Sequence, residues 1–203
     1  MLRHLIDPAN AITSAGLFFS TLAIFLTLSG RPELGVAAAL WALLADHLDG
    51  VVAGRTRNRP PETAQIGKNL DSFADLVSGA VFPAVVVMQV SGMSPTALPI
   101  AALLLLASAL RLSYFNSFGQ ANARYFTGVP MTYDVPVLAV LFLAAPFVPA
   151  QAFAGILQVT LVIVALLHVT PLRVPKVRGM MYAAVTAFAV TSSLVLATRE
   201  GIS

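Results

Sequence analysis

The 203-residue chain contains no cysteine, a single tryptophan and three histidines, and only 10% of its residues are charged. The missing cysteine excludes disulfides and thiolate chemistry. A soluble domain carries roughly 25% charged residues, so the shortfall argues against a water-facing surface and makes lipid the solvent. The chain also shows no internal repeat, no low-complexity tract and no segment composed like a soluble domain. What is there is apolar: 58% of the residues are hydrophobic and the mean hydropathy is +0.84. The net charge of +3 fits basic loops in a membrane protein, and no nucleic-acid partner is expected. The first twenty residues do not read as a cleaved signal, because Asp7 and Pro8 interrupt the run after Arg3 and no small-residue cleavage site follows. They suggest a short amphipathic lead-in at the membrane surface.

A membrane span needs about 20 mostly apolar residues. Apolar runs occupy about 10–29, 34–54, 69–91, 96–116, 132–148, 151–169 and 179–197. They are separated by Gly30-Arg31-Pro32, Arg55 to Pro61, Ser91-Gly92, Gly128 to Pro130, Pro149, and Pro171 to Pro175. Backbone polar groups within a bilayer must be satisfied inside each segment, so the expected fold is all-α: one polytopic helical bundle over residues 1–203. If the loop after the second run faces the cytoplasm and sides alternate along seven spans, ten of the twelve Lys and Arg fall inside, and only Arg31 and Arg199 fall outside. That asymmetry is the one positive-inside orientation predicts. A six-span alternative merging 132–169 would place Arg173, Lys176 and Arg178 outside, so seven spans are preferred.

Four of the nine acidic residues sit at the facing ends of the second and third runs. Asp46 and Asp49 are spaced i, i+3, and Asp71 and Asp75 i, i+4, which puts each pair on one helix face. Ionisable groups at membrane depth mark functional sites, and four carboxylates cannot converge ionised without compensation. All-oxygen ligands suit Mg²⁺, Mn²⁺ or Ca²⁺, whereas zinc would want His or Cys. Two such ions clamp a phosphoryl group. The ordinary alternative pairs these acids with Arg55, Arg57, Arg59 and Lys68. Gly50, Ala53, Gly54 and Gly67 let a bulky ligand approach the backbone, although small residues also serve helix packing.

The run Asp46-x2-Asp49-Gly50-x2-Ala53-Gly54-Arg55-x11-Gly67-x3-Asp71-x3-Asp75 resembles the signature of the CDP-alcohol phosphatidyltransferase family, D-x2-D-G-x2-A-R-x8-G-x3-D-x3-D. It departs from it twice: Gly54 occupies the arginine position with Arg55 one place later, and the spacer to Gly67 is longer. Asn10-Ala11-Ile12-Thr13 resembles the Asn-x-x-Thr that opens the family's first span. Ser72 to Gly79, Arg111-Leu112-Ser113-Tyr114-Phe115-Asn116 and Phe126-Thr127-Gly128-Val129-Pro130 resemble the phosphatidylserine synthase branch, where Tyr114 replaces an arginine.

The resemblance implies a six-helix core with a seventh, C-terminal span, an integral cell-membrane enzyme with its site facing the cytoplasm, and a homodimer among membrane lipids. It implies CDP-diacylglycerol as donor and a small alcohol as acceptor, L-serine first, with glycerol phosphate, inositol phosphate or another alcohol as alternatives. It implies two ions, Mg²⁺ or Mn²⁺: Asp46, Asp49 and Asp71 around one, and Asp46, Asp71 and Asp75 around the other, with Asp75 as general base. Donor and acceptor contacts would come from Asn10, Thr13, Asp46, Asp49, Gly50, Ala53, Arg55, Gly67, Arg111, Asn116 and Arg124. Arg111 and Arg124 carry forks that match phosphate or carboxylate, or else anchor the chain at the headgroups. His47 is expected to point away from the acids and His168 to lie at the interface, while Asp134 serves either helix capping or acceptor recognition. A transporter would spread polar groups across the bilayer depth, whereas these acids cluster at one end. A catalytically silent scaffold remains the third reading.

Overall fold

The structure, a computed structural model, describes residues 1–56, 58–119, 125–175 and 179–200. Seven helices follow one another: α1 (Pro8–Leu28), α2 (Pro32–Arg55), α3 (Pro61–Val90), α4 (Ala97–Phe118), α5 (Asp134–Ala144), α6 (Ala150–Val169) and α7 (Met180–Glu200). Proline opens each of the first three, where its missing N–H costs nothing and its φ is already helical. Asp7 adds a cap to α1, its carboxylate accepting from the Asn10 amide at 3.1 Å. Helices α1, α3 and α4 stop where the sequence carries left-handed backbone: Gly30, Gly92 and Gly119 have φ of 82°, 60° and 67°.

Six helices are long and apolar enough to cross a membrane. The exception is α5, but short 3₁₀ turns at Met131–Tyr133 and Ala145–Phe147 extend it. At ~1.5 Å per α-helical and ~2 Å per 3₁₀ residue, the stretch reaches about 28 Å, close to a ~30 Å hydrocarbon core. Pro146 and Pro149 separate it from α6, so 132–148 and 151–169 are two segments, as the charge count requires. The chain is therefore an all-α polytopic membrane bundle. Its only strands among the described residues are Tyr125–Thr127 (β1) and Arg173–Pro175 (β2), an antiparallel pair with Phe126 opposite Val174. They tie the loop after α4 to the loop after α6.

At the centre lies α2, packed against α1, α5 and α7. It can be enclosed because its residues are small: Gly35, Val36, Ala37, Ala38, Ala39, Leu40, Ala42 and Ala45 are all buried. A methyl group added at Gly35 would run into Thr27 of α1, and one added at Gly16 would stand 3.2 Å from Ala45 Cβ. Small residues thus set the close approach of α1 and α2. At the end away from the acids, the Arg199 guanidinium donates to the Phe142 and Leu143 carbonyls at 3.3 and 3.2 Å, satisfying the last turn of α5.

The third helix is not uniform. Between α-helical Pro61–Leu76 and Phe82–Val90 lies a π-helical turn, Val77–Val81. Gly79 in this turn lies against Met131, whose carbonyl would stand 2.9 Å from any added Cβ. The turn sits one helical turn beyond Asp75, a common place for such an insertion to accompany a functional site.

Candidate active site

The C-terminal half of α2 carries Asp46 and Asp49, and the first half of α3 carries Asp71 and Asp75. Oxygens of Asp46, Asp49 and Asp71 lie within 4.8 Å of one another. Asp75 completes the group, close enough for electrostatic interaction with all three. Asp49 is buried, and Thr13 of α1 donates its hydroxyl to Asp49 Oδ2. Among the described residues the ion pairs are Arg3–Glu62, Arg59–Asp7 and His168–Asp134, so no basic side chain forms a salt bridge with any of the four. This disfavours ordinary pairing with Arg55, Arg59 or Lys68; Arg57 lies outside the described residues. Converging oxygen donors, none of them in a salt bridge with a described basic side chain, fit hard divalent cations.

Two cavities meet at the cluster. The larger, about 570 Å³, is walled by Asp46, Asp75, Arg111, Phe115, Phe126 and Tyr133, with Tyr182 of α7 at its edge. The smaller, about 200 Å³, is walled by Asn10, Thr13, Asp49, Ala53, Arg59 and Gly67. Only Gly50 and Asp71 line both. A Cβ on Gly50 would meet nothing within 4 Å, so packing does not require glycine there; the open space lies on the ligand side. Gly67 is the opposite case. A Cβ there would collide with Asn10 Oδ1 and stand 2.6 Å from Arg59 Nη2. Gly67→Ala is therefore expected to destabilise the protein by about 1–3 kcal/mol, the usual cost of overpacking, read as a lower melting temperature in detergent.

Arg59 was not singled out by sequence. Its guanidinium donates to both Asp7 oxygens, at 2.8 and 3.1 Å, and to Asn10 Oδ1. Asn10 in turn donates to the carbonyls of His4 at 2.9 Å and Thr63 at 3.3 Å. The side chain of Asn10 thereby fastens the start of α1 to the start of α3, behind the smaller cavity. In contrast, Arg55 is exposed at the end of α2 and lines neither cavity. Asn116 is exposed as well, donating to Ser72 Oγ at 3.1 Å across α4 and α3. Arg124 lies outside the described residues.

Arg111 reaches the larger cavity from a largely buried position on α4. Its guanidinium carbon lies 5.9 Å from the ring centres of both Phe115 and Phe126, within cation–π range. His47 lines the same cavity, with its ring edge-on to Tyr182 and Nδ1 2.8 Å from the Leu43 carbonyl. It stands outside the aspartate cluster. His168 is buried, and Asp134 is fully buried against it and caps no helix, which removes one of the two roles expected of it.

Residues 7–191 match the family model for CDP-alcohol phosphatidyltransferase. The chain belongs to that family. Archaetidylserine synthase of Methanothermobacter thermautotrophicus is 28% identical over 160 residues, covering 78% of this chain and 65% of the relative. CDP-diacylglycerol–serine O-phosphatidyltransferase of Saccharomyces cerevisiae is 31% identical over 140 residues, covering 63% of this chain and 49% of the relative. Phosphatidylcholine synthase of Agrobacterium fabrum is 26% identical over 176 residues, covering 83% of this chain and 69% of the relative. The chain thus spans 65% of the length of the first and about half of the second. The matched region contains every aspartate of the cluster and both cavities' principal walls.

Proposed function

We propose that this chain transfers a phosphatidyl group from CDP-diacylglycerol to the hydroxyl of L-serine, forming phosphatidylserine and releasing CMP. The observation that carries the reading is the cluster of Asp46, Asp49, Asp71 and Asp75, free of basic partners among the described residues and standing between two cavities. The smaller cavity, with Asn10, Thr13, Ala53 and Gly67, suits the nucleotide end of the donor. The larger, bearing Asp75 and Arg111, suits the acceptor.

Mg²⁺ or Mn²⁺ bound by Asp46, Asp49, Asp71 and Asp75 would neutralise the charge of the pyrophosphate and of the departing phosphate oxygen. The chain's own residues do the rest. Thr13 holds Asp49 in place. Gly50 leaves room for the donor at the junction of the cavities. Asp75 lines the larger cavity but not the smaller, so it meets the acceptor side and takes the hydroxyl proton as the serine oxygen attacks the β-phosphorus. The new phosphorus–oxygen ester forms as the bond to CMP breaks.

Arg111 favours serine over choline. The faces of Phe115 and Phe126 already hold its guanidinium, so a quaternary ammonium entering there would meet a positive charge, whereas a carboxylate would gain a fork of donors. The basic residues support a cytoplasmic site. Arg55, Arg59, Lys68, Arg111 and Arg173 lie toward the carboxylate end, and Arg31 and Arg199 toward the other. The homodimer belongs to the same reading and rests on the family resemblance.

The test is CMP release by purified protein with CDP-diacylglycerol, Mn²⁺ or Mg²⁺, and serine, choline, glycerol phosphate or inositol phosphate. Release is expected with serine. No release with any alcohol from folded protein would remove the transferase reading, and release with choline alone would replace the acceptor.

A further inference from the structure

Within electrostatic reach of Arg111 lies a second ionisable group that the transfer reaction does not use. Asp134 opens α5 and His168 closes α6, and both side chains are completely shielded from solvent, with 0% exposure each. His168 Nε2 lies 3.0 Å from Asp134 Oδ2, and Nδ1 lies 2.9 Å from the Val129 carbonyl. A carbonyl can only accept, so Nδ1 carries a proton. The contact between Nε2 and a carboxylate oxygen requires a second proton between them. The pair is therefore formally neutral, as imidazolium with carboxylate or as imidazole with carboxylic acid.

This neutrality bears on Arg111, whose charge acts on both Asp75 and Asp134. Among the described residues, Arg111 Nε and Asp134 Oδ1 are buried and make no hydrogen bond. An unpaired carboxylate in a dry interior would take such a guanidinium as its counter-ion. Asp134 does not, because His168 already holds it. The loop that carries this arrangement is fixed from both sides. The Gly128 amide donates to the Leu172 carbonyl at 2.8 Å and the Val129 amide to that of Leu167 at 3.1 Å. Gly128, at φ 74°, lies so close to the His168 carbonyl that a Cβ would collide with it.

We propose that Asp134 and His168 are positioning residues for acceptor binding: His168 withholds Asp134 from Arg111, keeping the guanidinium un-neutralised on the cavity wall for an anionic acceptor group. This rests on the larger cavity being the acceptor site. Among the described residues, the hydrogen bonds of the dyad run to Val129 and between its own members and to none of the four aspartates, so it acts on acceptor affinity through Arg111.

Steady-state kinetics of the full chain with CDP-diacylglycerol and L-serine test it. H168Q keeps a donor beside Asp134 but removes the proton that neutralises the pair, leaving a full carboxylate to draw Arg111 away. It is expected to raise the serine KM at least about tenfold, the loss of one charge-assisted hydrogen bond. Its kcat and donor KM stay within about threefold of wild type. D134N removes the competing carboxylate and costs less than H168Q. In H168Q/D134N the serine KM returns to the D134N level, a non-additivity that reveals the coupling. Equal losses in both single variants with no recovery in the double would make the pair a packing feature and overturn the proposal. If serine is not turned over at all, the serine reading fails while the dyad is still tested by phenylglyoxal labelling of Arg111, followed by mass spectrometry. Labelling slows in H168Q and recovers in the double variant; equal rates in all three proteins overturn the proposal.

Discussion

Asp75→Asn is expected to lower kcat by about 10³-fold or more while changing the donor KM little, since a positioned general base is worth roughly 10²–10⁴. The change keeps the shape of the side chain and removes its ability to accept a proton. Geometry makes the effect selective. Asp75 faces the larger cavity and is absent from the wall of the smaller one, so a donor seated by Asn10, Thr13 and Gly67 loses no direct contact. Asp49 lines only the smaller cavity of the two, and Asp49→Asn should weaken donor binding instead. Single-turnover measurements with saturating donor separate the two cases. An Asp75→Asn protein with near-normal turnover would remove this residue as the base.

Removing divalent metal should abolish turnover and lower the melting temperature, both restored by Mn²⁺ or Mg²⁺. A ligand at about a hundred times its dissociation constant adds roughly 2.7 kcal/mol to stability. A substitution at the centre of the cluster should then change sign with metal. With metal, Asp71→Asn removes a ligand and destabilises. Without metal, it removes one of several like charges held within 4.8 Å, which relieves a repulsion on the order of 1–4 kcal/mol at the dielectric of a protein surface, and the variant should melt higher than the parent. Thermal melts of both proteins, with and without EDTA, show the crossover. Parallel shifts under both conditions would mean that these carboxylates do not share a cation.

Much of the fold is written locally. Proline at positions 32 and 61 and glycine at 30, 92 and 119 mark helix ends by their own backbone preferences. The aspartate spacings fix a shared face whatever the surroundings. Arg55 carries a local signal of its own. Nine residues separate it from Asp46, and at ~100° per residue that places it on the opposite side of α2, which is where the structure has it. Other features depend on packing between distant segments. Arg59 finds Asp7 across 52 residues and His168 finds Asp134 across 34. A lone ionisable residue near the end of an apolar run reads as an interfacial anchor until a partner from another helix is seen beside it. The same holds for β1 and β2, whose three-residue strands are too short to show alternation.

The π-helical turn has a further meaning for α3 as a piece of sequence. Its inward residues Thr63, Gly67, Asp71, Asp75 and Gly79 recur every four positions, and the set then moves on by one residue to Ala80 and Ala84. The helix is written in two frames, offset by one residue. Deleting one residue between Val77 and Val81 would merge the frames and let the turn close as ordinary α-helix, leaving Phe82 and Val87 toward the core. The extra residue of the π turn therefore serves the contact of Gly79 with Met131 beside the aspartates, and not the direction of the second half of α3.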